Sequence, residues 1–239
     1  MIEYPSSNPY QQGAQAAAAE PLARYTAKTF LWMFLGLAIT FGTAVFLGQT
    51  GLIVRMLMRM PSAIYILPIA QIAVVLILSL ALKKLSPGAA TALFLLYALL
   101  TGVTFSTLLL VFEAYSAMLV FGVTAVVFAI MAVWGFVTKQ DLSSWRKVLF
   151  FALIGLVLVS LLGLFINLSG LEKIICYVGV IVFLGYTAYD TQKIKVYYYS
   201  FQGDAALLKK ASIISALGLY LDFINLFLYL LRLFGRRSN

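Results

Sequence analysis

The sequence predicts an all-α integral membrane protein, a seven-transmembrane-helix bundle, and three observations carry that prediction. The chain is 63% hydrophobic and only 10% charged, with a mean hydropathy of +1.01, whereas soluble domains run near half apolar and about a quarter charged. The charges fall between long apolar runs rather than through them. Most of those runs are long enough to cross hydrocarbon of about 30 Å at about 1.5 Å per residue.

Residues 1–22 are rich in Ala, Gln, Ser, Gly and Pro. They read as a disordered N-terminal tail, because they lack the basic start and apolar core of a signal peptide. Residues 23–239 then form one transmembrane domain. Charge-free runs occupy 29–54, 60–82, 85–112, 114–138 and 148–171. A sixth, 174–189, ends at Asp190 and reaches spanning length only if that carboxylate lies within the membrane. A seventh, 211–231, is broken solely by Asp222. Unpaired backbone cannot cross lipid, and barrel strands would be about 10 residues long with alternating polarity, so the runs are helices. The loops between them are short, and no internal repeat of the kind that builds inverted-repeat transporters is visible.

The net charge of +9 does not point to nucleic acid. The bases sit at the ends of apolar runs, where they meet lipid headgroups and set orientation. With the N-terminus cytoplasmic, the cytoplasmic side holds Arg24, Lys28, Lys83, Lys84, Lys139, Arg146, Lys147, Lys193, Lys195, Lys209 and Lys210. The far side holds Arg55, Arg59, Lys173, Arg232, Arg236 and Arg237, so eleven bases against six favour that orientation. The C-terminal cluster argues the other way, and a re-entrant last helix is the alternative that would satisfy it. The chain has no histidine, which excludes serine–histidine intramembrane proteolysis. Its one cysteine, Cys176, can form neither an intrachain disulfide nor a paired metal site.

Of eight acidic residues, Glu3 and Glu20 lie in the tail, Asp141 and Asp204 in loops, and Glu113 and Glu172 at helix ends. Only Asp190 and Asp222 fall where a helix must be in the membrane. A charge there costs about 2.5–3.5 kcal/mol on insertion scales, so it marks function by default. Helical spacing puts Ser215, Gly218, Asp222, Asn225 and Tyr229 on one stripe, and Gly179, Phe183, Tyr186, Thr187 and Asp190 on another. Each aspartate is thus expected on a small, polar, inward face. Hydrogen bonding to a neighbouring helix as structural glue is the competing role.

Two carboxylates in contact in a low-dielectric bundle cannot both ionise without cost, so they share a proton and titrate as a pair. Protonated, the pair is a closed seal; deprotonated, it repels apart and offers oxygens to a cation. Calcium takes 6–8 oxygen ligands, so Asp190 and Asp222 as metal ligands need help from Tyr186, Thr187, Asn225, carbonyls or water.

The stretches Gly185-Tyr186-Thr187-Ala188-Tyr189-Asp190-Thr191-Gln192-Lys193-Ile194 and Ala216-Leu217-Gly218-Leu219-Tyr220-Leu221-Asp222-Phe223-Ile224-Asn225-Leu226-Phe227 resemble the paired signature of the Bax inhibitor-one, or transmembrane Bax inhibitor motif, family. The short loops resemble its bacterial branch. The resemblance covers roughly 25–236. It implies a bacterial inner membrane protein with a central last helix wrapped by the other six. It also implies a pH-sensitive calcium leak controlled by a di-aspartyl pair, which falls here on Asp190 and Asp222. Some members bring a basic residue from the cytoplasmic end of the second helix to the pair. That end reads Leu82-Lys83-Lys84-Leu85 here, and the choice between Lys83 and Lys84, or between that role and snorkelling to headgroups, stays open.

An intramembrane aspartyl protease also pairs a Tyr-Asp with a second aspartate. It needs Gly-x-Gly-Asp, however, where this chain has Gly218-Leu219-Tyr220-Leu221-Asp222, so no enzyme and no cofactor are expected. The resemblance also leaves a second reading, a non-conducting adaptor that modulates a membrane-bound protease through residues 1–22.

Overall fold

A computed structural model describes residues 20–80, 84–163, 166 and 170–238; most of the expected tail, 1–22, therefore lies outside the described residues. The helices are α1 (Leu22–Gln49), α2 (Leu52–Arg59), α3 (Ala63–Leu80), α4 (Pro87–Leu108), α5 (Ala114–Val137), α6 (Trp145–Leu162), α7 (Glu172–Ser200) and α8 (Ala205–Phe234). A short 3-10 turn, Leu142–Ser144, leads into α6. Among the described residues there is no strand, only a single bridge between Phe112 and Arg237. The expected all-α membrane fold is therefore found. Among the described residues six helices are long and apolar enough to cross a bilayer alone, and α2 with α3 supplies a seventh as a pair bent by 102°.

That bend corrects the sequence reading, which carried the first run through residue 54. The first helix stops at Gln49 because Gly51 turns the chain with φ +65, a left-handed conformation that glycine adopts without a Cβ clash. The next eight residues carry Arg55 and Arg59 one turn apart, which keeps α2 at the interface instead of in hydrocarbon. The fifth run also ends early, at Leu162 rather than residue 171.

Lipid-facing and inward faces separate cleanly on α5. Leu119, Val123, Val126, Ile130 and Val133, at steps of three and four, are exposed to the bilayer. Val120, Thr124, Phe128, Ala132 and Gly135 are buried on the opposite side. Helix α8 has no lipid-facing side of comparable width. Of its most apolar stretch 67% is buried, against 44% for α7 and 11% for α6. It packs directly on α7, α1, α5 and α4, while α3 rests on α4 and α6 on α7. The last helix is central as the resemblance implied, but its inner ring has four helices rather than six.

Lipid tails are as apolar as leucine, so close packing and hydrogen bonds hold such helices together. Tyr220 shows both. Its ring meets Phe94 and Tyr97 edge-on, and its hydroxyl lies 2.6 Å from that of Thr40, which donates to the Ala98 carbonyl at 2.9 Å. Gly135 of α5 marks the closest approach to α7: a Cβ there would stand 2.6 Å from the Ala188 Cα. Backbone cannot swing aside, so Gly135→Ala is expected to destabilise the bundle by about 1–3 kcal/mol. Thermal unfolding in detergent checks this.

The two ends of the bundle are identifiable. At one, Lys28 pairs with Glu20 at 2.6 Å and the Tyr198 hydroxyl donates to the Glu20 carbonyl, joining the start of α1 to the end of α7. At the other, the α4–α5 turn holds the C-terminus: Glu113 N–H donates to the Arg236 carbonyl and Ser238 N–H to that of Val111. Helix α8 therefore runs uninterrupted from the N-terminal end of the bundle to the opposite end, and the re-entrant alternative fails. The excess of bases at the N-terminal end leads to an expected cytoplasmic N-terminus. A reporter fused at residue 239 is expected to read as external, and a cytoplasmic reading would reverse the orientation.

Candidate functional site

Helices α7 and α8 meet along the two stripes that helical spacing picks out. Each provides a glycine that receives a side chain from the other. A Cβ on Gly179 would stand 2.6 Å from the Tyr229 ring, and one on Gly218 would stand 2.7 Å from Asp190 Oδ2. Phe183 stacks on Tyr229 with centroids 5.9 Å apart. Asp190 thus presses its carboxylate onto the backbone of α8, one turn before Asp222.

Asp222 is 4% exposed, and its Oδ2 has no hydrogen-bond partner among the described residues. Ser215 Oγ, two turns earlier on the same stripe, is also buried and unpartnered. The two carboxylates are close enough to interact electrostatically, although no direct hydrogen bond joins them among the described residues. An unsatisfied buried acceptor costs about 1–3 kcal/mol. This stripe therefore holds polar capacity that the protein does not fill itself.

The remaining expected residues fall as follows. Tyr186 is half-buried and senses both carboxylates. Thr187 is fully buried and donates to the Phe183 carbonyl at 2.8 Å, leaving its oxygen as an acceptor. Asn225 spends its amide N–H on the Leu221 carbonyl at 2.8 Å, so its side-chain oxygen is the group left to face a ligand. Lys83 lies outside the described residues. Lys84 is exposed beside the start of α4 and makes no ion pair among the described residues.

The structure supplies a different base. Lys193 Nζ lies 3.5 Å from Asp190 Oδ1, an i,i+3 pair in which the carboxylate is 16% exposed. From the sequence, Asp222 is the one obvious intramembrane partner of Asp190, and Lys193 counts with the cytoplasmic bases. The signal was the three-residue spacing, which places both on one helical face.

Two cavities flank this pair. The outer, of about 520 Å³, lies towards α6 and is lined by Asp141, Arg146, Tyr186, Tyr189 and Gln192 among others. The inner, of about 150 Å³, lies against α8 at Ile214, Ser215, Gly218 and Leu221. Asp190, Lys193 and Tyr197 line both. Gln192 fixes the outer wall: it accepts from Leu142 N–H at 2.9 Å and donates to the Gln140 carbonyl at 2.7 Å. Hydrogen bonds from the Ser143 backbone and hydroxyl hold the Asp141 carboxyl below its ordinary range, so the outer cavity carries a fixed negative charge. Beyond Asp222, towards the C-terminal end, Phe223 and Phe227 pack against Phe41, Phe105, Phe121 and Phe128. Among the described residues no group of three or more His, Cys, Asp or Glu side chains could hold a metal ion by itself.

These features define a class: a polytopic helical membrane protein with a buried carboxylate on its central helix and a second on the preceding helix within electrostatic reach. Comparison with known proteins agrees. Residues 22–239 match the family described as Inhibitor of apoptosis-promoting Bax1. The chain is 44% identical over 217 residues to the inner membrane protein YbhL of Escherichia coli, covering 90% of this chain and 93% of that one. It is 41% identical over 227 residues to a protein of Deinococcus radiodurans (94% and 95% covered), and 38% over 216 to one of Borreliella burgdorferi (90% and 93%). The chain belongs to the Bax inhibitor-1 family, as its paired motifs implied.

Proposed function

We propose that this protein is a pH-sensitive calcium leak of the bacterial inner membrane, gated by Asp190 and Asp222, and not an enzyme. The observation that carries the reading is the buried, unpartnered stripe of Ser215 and Asp222, whose Ser215 lines one cavity together with Asp190. Orphaned acceptors in a helix bundle are suited to a hydrated cation, and two carboxylates with hydroxyl and amide oxygens around them make a weak, exchangeable site rather than a storage site. Thr187, Asn225 and Tyr186, on the same two helices, would supply further oxygens. The inner-membrane placement rests on the apolar helices and on the name of the Escherichia coli relative.

The sign of the pH dependence follows from charge. At low pH the pair holds a proton and no cation. As pH rises the pair loses it, the carboxylates repel, and their oxygens become available, so flux rises with pH. Purified protein in liposomes loaded with a calcium indicator is expected to show that rise, and removal of residues 1–22 is expected to leave it unchanged. Absence of flux at every pH, together with a cellular defect on removing 1–22, would instead favour an adaptor acting on a membrane-bound protease.

A further inference from the structure

We infer that Lys193 is a tethered cation that occupies the cation position beside Asp190, and that a metal ion entering the carboxylate pair must displace it. The inference rests on the carboxylate pair being a cation site and adds the residue that competes for it.

A lysine near a helix end ordinarily snorkels, extending its ammonium to the headgroups. Lys193 does not. Its Nζ is turned back over Asp190 at 3.5 Å, with its side chain 35% exposed. It also lies 5.7 Å from the centre of the Tyr189 ring and 5.3 Å from that of Tyr197. The rings offer a second resting place, because an aromatic face attracts an ammonium within about 6 Å. Lys193 therefore has partners of two kinds within reach: a carboxylate and two tyrosine faces.

Its position makes that choice consequential. Lys193 belongs to the shared wall of the two cavities, between the outer one with Asp141 and Arg146 and the inner one against α8. The other charged or titratable groups around it are Tyr186, Tyr189 and Tyr197 on its own helix and Asp222 on α8. An ammonium has three donors and no acceptor. It neutralises Asp190 and repels a divalent cation brought to the same carboxylate, so the two cations compete for it. Entry and release of the lysine from Asp190 thus exclude and admit the metal.

The test uses the full-length chain in detergent and terbium as the probe, its emission sensitised by the adjacent tyrosines and its affinity read by titration at fixed pH and salt. Lys193→Gln is expected to bind terbium about tenfold more tightly than wild type, more than an exposed ion pair would shift it and less than unscreened charges would. Lys193→Met, the second neutral variant, is expected to match it. Lys193→Arg, which keeps the charge, is expected to restore the weaker binding, and Asp190→Asn to remove the signal in every background. Affinities of both neutral variants within twofold of wild type, or weaker, would overturn the inference, as would terbium binding that ignores Asp190. Liposome flux separates this from the function: a wild-type calcium leak with unchanged terbium affinity in the neutral variants removes Lys193 alone. Tighter Asp190-dependent binding without any leak supports the competition and removes the leak.

Discussion

Asp222→Asn is expected to abolish most of the pH dependence of calcium flux while leaving the bundle folded and slightly more stable. The substitution keeps side-chain size and removes the ionisable group from the most buried carboxylate among the described residues, which is 4% exposed with one oxygen unpartnered. Asp190 then titrates without its like-charged neighbour, and the repulsion that opens the pair at high pH disappears. The amide also introduces a donor beside Asp190, so a gain of about 1–3 kcal/mol is expected from relieving the unsatisfied site. Flux across pH and thermal unfolding in detergent should therefore move in opposite directions. Such a trade is usual where function maintains an unfavourable group. Loss of both would mean that Asp222 is structural glue.

Gly218→Ala should disable the same pair without touching a charge. Its Cβ would stand 2.7 Å from Asp190 Oδ2 and 3.5 Å from Asp190 Cγ. The obstruction is the end of a flexible side chain, so the carboxylate turns away from α8 rather than the helices parting. The expected result is a folded protein whose pH profile resembles that of the asparagine variants, with a stability cost in the lower part of the about 1–3 kcal/mol range of overpacked cores. Gly122→Ala, where nothing lies within 4 Å, is the control expected to behave as wild type. A Gly218→Ala profile that also matched wild type would show that contact between Asp190 and α8 is not needed.

The parts of this architecture legible in the sequence are those the bilayer dictates. Hydrocarbon fixes helix length and forbids stray charge, so Asp190 and Asp222 announced themselves, and the 3.6-residue period placed Ser215, Gly218 and Asp222 on one face. What stayed hidden depends on how charges are used once the helices pack. The sixth apolar run seemed to end at Asp190, yet α7 continues to Ser200. Lysine is a good helix former, so the helix runs on while Lys193 turns onto Asp190 and Lys195 donates to the Phe136 carbonyl at the end of α5. Charges used internally look, in a sequence, like charges at a boundary. The elbow between α1 and α3 was missed for the converse reason. Residues 50–54 carry no charge, and only the backbone of Gly51 shows that the chain turns there. The expected partner lysines, Lys83 and Lys84, came from resemblance to other members. Nothing in their spacing from Asp190 could have ranked them against Lys193, which lies on the same helix one turn away.

The claim that Asp190 and Asp222 act as one unit is tested most directly by calcium flux across pH through liposomes holding wild type, Asp190→Asn, Asp222→Asn or the double variant. For two groups sharing a proton and a cation, each single substitution should flatten the profile to a similar degree. The double variant should then be no flatter than either, a coupling as large as the single effects themselves. Single variants that keep the wild-type profile, or effects that simply add in the double variant, would contradict a shared gate.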